Sequence, residues 1–189
     1  MRITVRGIVQ GVGFRPTVYR IARSMGLRGY VQNNGSDVVI AVDRDAEEFV
    51  RRLKVELPPL ARLDSVELHE DRSDLGDTFR ITHSSGGSRG VGIPNDAAVC
   101  DQCVEEMFDP GNRRYLYPFT NCTNCGARFT VIADLPYDRD KTSMRDFPMD
   151  PDCRNEYDDP ADRRFHHQTI SCPHCGPSYY LLSANGSAI

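Results

Sequence analysis

An α+β chain in two parts is predicted: a βαββαβ unit over residues 1–83, then a loop-rich unit over 96–182 that depends on bound metal. Three observations predict it. Apolar residues in the first part follow strand and helix periods in turn. That periodicity fades after a Ser- and Gly-rich stretch. Beyond it, paired cysteines recur at a fixed offset.

Ile3, Val5, Gly7 and Val9 alternate with Arg2, Thr4, Arg6 and Ile8, the pattern of a half-buried strand. Pro16 is expected at the first position of a helix, where a missing N–H costs nothing. Val18, Ile21, Ala22 and Met25 keep helical spacing, and Gly26 is the expected stop. Tyr30–Gln32 and Val38–Val42 are two strands around a turn at Asn33–Asp37. Asp45 with Glu48 resembles a capping box for a second helix, whose apolar face is Ala46, Phe49, Val50 and Leu53 and which Pro58-Pro59 closes. Val66 and Leu68, then Phe79 and Ile81, supply late strands. The order is ferredoxin-like, an arrangement that hosts many functions. Residues 84–95 are assigned to a linker, and 183–189 to the start of a further connection.

The chain has 189 residues, 39% hydrophobic and 26% charged, as ordinary globular proteins have. Its formal net charge of −4 argues against a nucleic-acid binder that relies on bulk positive charge. No apolar run reaches the roughly 18 to 20 residues of a membrane span. Arg2 and Arg6 interrupt any signal-peptide core, so a cytoplasmic protein is expected. All seven cysteines lie in the C-terminal half, and in a reducing compartment such clusters bind metal more often than they form disulfides.

The second unit repeats itself at an offset of 50 residues. Cys103, Cys122 and Cys125 match Cys153, Cys172 and Cys175. Glu106, Asp109, Pro110, Arg113, Arg114 and Gly126 match Glu156, Asp159, Pro160, Arg163, Arg164 and Gly176. The first copy has Cys100, Cys103, Cys122 and Cys125 in a Cys-x2-Cys-x18-Cys-x2-Cys pattern, which suits a tetrahedral zinc site. In the second copy Asp150 stands where the first has Cys100. Asp150, Cys153, Cys172 and Cys175 can still form a second zinc site, weaker or partly empty, since a carboxylate is an acceptable ligand. His166, His167 or His174 could replace Asp150, though each is more simply a solvated loop residue. Interleaved ligation between copies is an alternative to sequential sites. No water-activating group accompanies either set, so the expected zinc is structural, worth about 10 kcal/mol or more per closed site.

Gln10, Gly11, Val12, Gly13, Phe14 and Arg15 join the first strand to the first helix. Two glycines let the backbone turn sharply, and the turn ends at a helix N-terminus, which favours an anion. Arg15 adds a planar fork of donors suited to phosphate oxygens. By spacing alone the same residues also fit an ordinary strand–helix turn.

Val5-Arg6-Gly7-Ile8-Val9-Gln10-Gly11-Val12-Gly13-Phe14-Arg15 resembles the acylphosphatase signature, and Gly29-Tyr30-Val31-Gln32-Asn33 resembles that family's second motif. The resemblance implies that Arg15 binds phosphate and Asn33 positions the attacking water. Asp37 departs from the glycine frequent there, which would alter the turn or weaken anion binding. With the paired cysteine units, the whole resembles the N-terminal part of the HypF family of carbamoyltransferases, which mature [NiFe]-hydrogenases. Tyr117–Cys122, Leu135-Pro136-Tyr137-Asp138-Arg139 and Asp162–His166 resemble its zinc-region segments. That resemblance implies carbamoyl phosphate as substrate and, as partner, an acceptor protein carbamoylated on its C-terminal cysteine. It also implies an N-terminal portion, unable to complete the transfer without later domains.

Two other readings compete: a zinc-stabilised docking scaffold beside a silent ferredoxin-like domain, and a nucleic-acid-binding zinc module. Only Arg113-Arg114 and Arg163-Arg164 attract the latter, and these are better taken as loop ion-pair formers.

Overall fold

The computed structural model describes residues 1–71, 75–86 and 96–188. Of the expected linker, residues 87–95 lie outside the described residues.

The first part is a five-stranded sheet with two helices. Its elements are β1 (Arg2–Ile8), α1 (Phe14–Ser24), β2 (Gly29–Asn34), β3 (Asp37–Val42), α2 (Ala46–Val55), β4 (Arg62–His69) and β5 (Phe79–Ile81). Strand order is β4-β1-β3-β2-β5; β5 pairs parallel to β2 and the other pairs are antiparallel. Alternation on β1 buries Ile3 and Val5 completely. They pack with Val18, Ile21, Ala22, Phe49 and Leu53 from the helices, so the two apolar helix stripes and one sheet face make the core.

Three local expectations are corrected. Helix α1 starts at Phe14, so Pro16 is its third residue rather than its first. The placement is tolerated because the first intrahelical bond runs from Thr17 N–H to Gly13 C=O, one residue later. Asp45 and Glu48 do not form a capping box: Asp45 has φ 51° and makes no side-chain cap bond, and Glu48 pairs with Arg51. The turn between β2 and β3 is shorter than expected. Pairing continues to Asn34↔Asp37, which places Asn33 inside β2 opposite Val38. Gly26, at φ 63° after the Met25 C-cap, ends α1 as expected.

The second part has little regular structure. Helix α3 (Asp101–Phe108) and helix α4 (Pro151–Asp158) stand 50 residues apart and begin just after Cys100 and Asp150. Three short 3-10 turns lie between them, at Phe129–Val131, Arg139–Lys141 and Ser143–Asp146. Its buried clusters centre on cysteines: Cys103, Cys122 and Cys125 in one, Cys153, Ile170 and Cys172 in the other. So small an apolar content cannot hold such a unit by itself.

Candidate functional site

Gln10, Arg15 and Asn33 come from three places in the chain and meet in one buried spot. Gln10 opens the turn after β1, Arg15 lies in the first turn of α1, and Asn33 sits on β2. They are 3%, 8% and 0% exposed, so the site is a formed cradle rather than a surface turn. Gly11 and Gly13 have φ of 71° and 75°, which an L side chain rarely adopts. A Cβ on Gly11 would lie 2.9 Å from Ala127 Cβ, and one on Gly13 would lie 2.9 Å from Thr123 Cβ. Both glycines therefore serve the turn and the close approach of the second part.

That approach closes the cradle. The Gly11 carbonyl accepts from Ala127 N–H at 2.9 Å. A strap of residues 136–138 crosses the three motif residues. Tyr137 N–H donates to Gln10 Oε1 at 2.9 Å. Arg15 Nη2 donates to the Tyr137 carbonyl at 3.1 Å and to Asp138 Oδ1 at 2.9 Å. Asn33 Nδ2 donates to the same Tyr137 carbonyl at 3.3 Å, which fixes the orientation of its amide. Asn33 Oδ1 is buried and has no hydrogen-bond partner among the described residues. Asp37, suspected of opposing an anion, is held by Arg6 Nε at 3.1 Å. The strap belongs to a segment noted in the sequence, but nothing there placed it on Arg15.

The remaining wall of the cradle carries His166 and His167. They are not solvated loop residues. His166, at φ 52°, packs against Tyr157 and Phe165, and burial holds its pKa down at about 4. His167 is 3% exposed and pairs with Asn121 Oδ1 and Thr169 Oγ1, and burial holds its pKa at about 3. The folded state thus refuses protons that an unfolded histidine accepts below about 6.5. Stability from neutral His167 is complete above pH 6.5 and is lost as pH falls toward 3. Urea unfolding from pH 7.5 to 5.5 should show stability falling with pH, and the fall should be shallower in His167→Gln by up to about 1.4 kcal/mol per pH unit.

The cysteines form two sets of four ligands, each from one repeat. In each set, Cys100, Cys103, Cys122 and Cys125, then Asp150, Cys153, Cys172 and Cys175, the ligand atoms lie within 4.8 Å of one another. Sulfur pairs stand 3.6 Å apart for Cys100–Cys122 and 4.0 Å for Cys122–Cys125. In the second set Cys153–Cys175 is 3.6 Å and Cys172–Cys175 is 3.7 Å. A tetrahedron with metal–sulfur bonds of about 2.3 Å has edges of about 3.8 Å, so both sets fit one ion. Among the described residues no histidine joins the second set. Asp150 does: its Oδ2 lies 3.0 Å from Cys172 Sγ, and its Oδ1 caps α4 through Cys153 N–H at 2.7 Å. Aspartate is a strong N-cap, and Cys100 makes no such side-chain bond to α3. Arg113 Nη2 approaches both Asp150 oxygens, at 3.1 and 3.0 Å, and Cys172 Sγ at 3.2 Å.

Arg113 and Arg114 therefore belong to the first repeat but serve the second, and Arg163 and Arg164 do the reverse. Arg114 donates to Glu156 Oε1 at 2.9 Å and to the Ser171 carbonyl at 2.9 Å. Arg164 donates to Glu106 and, at 3.0 Å, to the Asn121 carbonyl. Each set of partners is the other shifted by 50 residues. They are ion-pair formers, as expected, but Arg114 and Arg164 are each 2% exposed, which makes them internal cross-braces rather than loop groups.

The acylphosphatase family model matches residues 1–81, and the HypF finger model matches residues 99–132 and 150–182. A carbamoyltransferase HypF of Rhizobium leguminosarum bv. viciae is 49% identical over 145 residues, covering 76% of this chain and 19% of the relative. An acylphosphatase of Thermotoga maritima is 36% identical over 86 residues, covering 44% of this chain and 96% of the relative. A crystal structure of full-length HypF in a phosphate- and nucleotide-bound form superposes with a TM-score of 0.88 at 45% identity, over 97% of this chain and 25% of that one. The chain thus spans about a fifth to a quarter of the HypF relatives' length.

Proposed function

Since this chain belongs to the HypF family of carbamoyltransferases, with an acylphosphatase-family domain over residues 1–81, we propose that this domain hydrolyses carbamoyl phosphate. One observation supports the reading most: Arg15 and Asn33 donate to a single oxygen, the Tyr137 carbonyl, at 3.1 and 3.3 Å. The convergence turns both side chains toward one oxygen acceptor, and Arg15 keeps Nε and Nη1 for phosphoryl oxygens. The Gln10–Phe14 backbone and the start of α1 add N–H groups beside them.

Arg15 holds the phosphoryl oxygens, and the unpartnered Asn33 Oδ1 accepts a proton of the attacking water in a hydrogen bond. The water oxygen bonds to phosphorus, and the bridging oxygen leaves with the carbamate. The water's protons pass to phosphate and solvent. The leaving group is already activated, so positioning and charge stabilisation suffice. In longer relatives the carbamoyl group would then pass to the C-terminal cysteine of an acceptor protein, toward the cyanide ligands of a hydrogenase. The two ligand sets would hold zinc, whose closed coordination stabilises the fold and opens no position to water. Among the described residues no helix is long and apolar enough to cross a membrane, and a cytoplasmic place fits the free thiols.

The domain limits 1–83 and 96–182 go with this reading: a hydrolase unit and the unit that lays the strap on it. Phosphate release from carbamoyl phosphate tests it. Arg15→Ala should lower the rate by about a hundredfold or more, the cost of losing one such charged donor. Release by the metal-loaded chain that does not exceed the spontaneous rate would favour the docking-scaffold reading, to which the bonds that Arg15 donates to the Tyr137 carbonyl and the Asp138 carboxylate also lend support.

A further inference from the structure

The strap that closes the cradle brings a carboxylate onto the one arginine expected to bind phosphate. Asp138 Oδ1 lies 2.9 Å from Arg15 Nη2, and the Asp138 side chain is only 24% exposed. On electrostatic grounds alone this is costly, because a carboxylate beside the site repels every acyl phosphate alike. The geometry shows what offsets it. The two Arg15 bonds seen among the described residues both leave from Nη2. A guanidinium has five N–H donors, so Nε and Nη1 remain for an anion. Asp138 in turn spends Oδ1 on Arg15, and no bond to Oδ2 is seen among the described residues. The Tyr137 carbonyl, by contrast, already accepts from both Arg15 and Asn33.

Arg15 and Asp138 also share the wall of a cavity of about 480 Å³ between the two parts, lined further by Ser84, Arg139, His166 and Gln168. Arg139 donates to the carbonyls of Gln168, Ile170 and Phe147. The Ser84 hydroxyl is buried and unpartnered among the described residues. An acyl phosphate with its phosphoryl end on the Gln10–Arg15 turn has the strap and this cavity within reach of its acyl end, because Arg15 lines both the cradle and the cavity. There the Tyr137 carbonyl and the Asp138 carboxylate present acceptors. An acetyl methyl has nothing to donate to them. A carbamoyl amino group has two N–H donors.

We infer that Asp138, supplied by the metal-binding part, is a specificity-determining residue that accepts an N–H of the carbamoyl amino group and so selects carbamoyl phosphate over acyl phosphates lacking a donor. The inference rests on the proposed hydrolysis of carbamoyl phosphate, and it makes the two parts one binding site. Its energetic form is discrimination by a half-buried polar group: every ligand meets the carboxylate, and only an N–H donor recovers the cost.

The test uses two non-hydrolysable phosphonates that differ only as the substrates do, phosphonoacetamide (–NH2) and 2-oxopropylphosphonate (–CH3). Their binding to the full metal-loaded chain is measured by calorimetry. The wild type should hold the amide about tenfold more tightly than the ketone. Asp138→Ala should erase that preference by weakening the amide, with the ketone unchanged or tighter, and Asp138→Asn, which keeps one acceptor oxygen, should fall between. Equal weakening of both ligands would overturn the inference and leave Asp138 as a prop for Arg15. Equal tightening of both would overturn it and make the strap a simple plug. A wild type without preference would overturn it outright. Should Asp138→Ala fail to bind metal, the isosteric Asp138→Asn and the wild-type preference decide. Carbamoyl phosphate hydrolysis is scored separately: amide preference without phosphate release sinks the hydrolase reading alone, and release without preference sinks this one alone.

Discussion

Removing metal with a strong chelator should unfold the second part of the chain and leave the sheet of β1–β5 standing. The asymmetry follows from what each part buries. The first has a continuous core running from Ile3 to Phe79. The second has two small clusters built on the cysteines themselves. A closed zinc site contributes on the order of 10 kcal/mol to such a unit, comparable to or larger than the whole stability of a small domain. Thiolates gathered within 4.8 Å of one another repel, so the folded arrangement needs a cation among them. Hydrogen exchange should show residues 100–175 losing protection together while β1, β3 and the buried faces of α1 and α2 keep theirs. The site with Asp150 should release its ion first, because its carboxylate is shared with the α4 cap and with Arg113. Chelation should also free the strap and so change phosphonate binding. Undiminished protection of α3 and α4 after metal loss would mean that the cross-braces and loops suffice.

Much of this was legible in the residues because it is local. Alternation from Ile3 to Val9 marked a strand whose inward residues the sheet buries, and Val18, Ile21 and Ala22 marked one helix face. Spacing alone grouped the cysteines, since two short loops per repeat are enough to surround an ion. What was not legible depends on long-range closure or backbone detail. The Asp45–Glu48 pair had the residues of a capping box, but Asp45 takes φ 51° and cannot point its carboxylate at Glu48 N–H. His166 and His167 lie in a polar run, and groups that cover them, Tyr157 and Asn121 within the second part and Arg15 from the first, are distant in sequence. The strap on Arg15 joins residues 122 and 123 positions apart, a contact no periodicity reports. The repeat itself was plain at its 50-residue offset, but not that the copies exchange arginines.

That exchange sets the second large effect. Arg164→Ala should destabilise the metal-loaded chain by about 3 to 5 kcal/mol, the cost of removing one partner of a buried ion pair. The side chains of Arg164 and Glu106 are 3% and 22% exposed, so water restores little of what is lost. Three contacts go at once: Glu106, the Asn121 carbonyl and the sulfur of Cys103 at 3.9 Å. Although burial opposes it, hydrogen bonds from Arg164 and Arg163 hold the Glu106 carboxyl at about 2. A depressed carboxylate pKa adds stability that is complete above about 4.5 and lost as pH falls toward 2, so the brace is at full strength at neutral pH. Arg114→Ala should cost a similar amount, because Glu156, Ser171 and Cys153 repeat the same contacts from the other side. Urea unfolding at saturating zinc measures both. A double-mutant cycle of Arg164→Ala with Glu106→Gln should return a coupling of about 1 kcal/mol or more, reduced from the full pair energy because Arg163 still reaches Glu106. Losses within about 0.5 kcal/mol for both arginines would show that the metal alone joins the repeats. Losses of the expected size would instead make the reciprocal braces what fixes one repeat against the other, and with it the height at which the strap lies over Arg15.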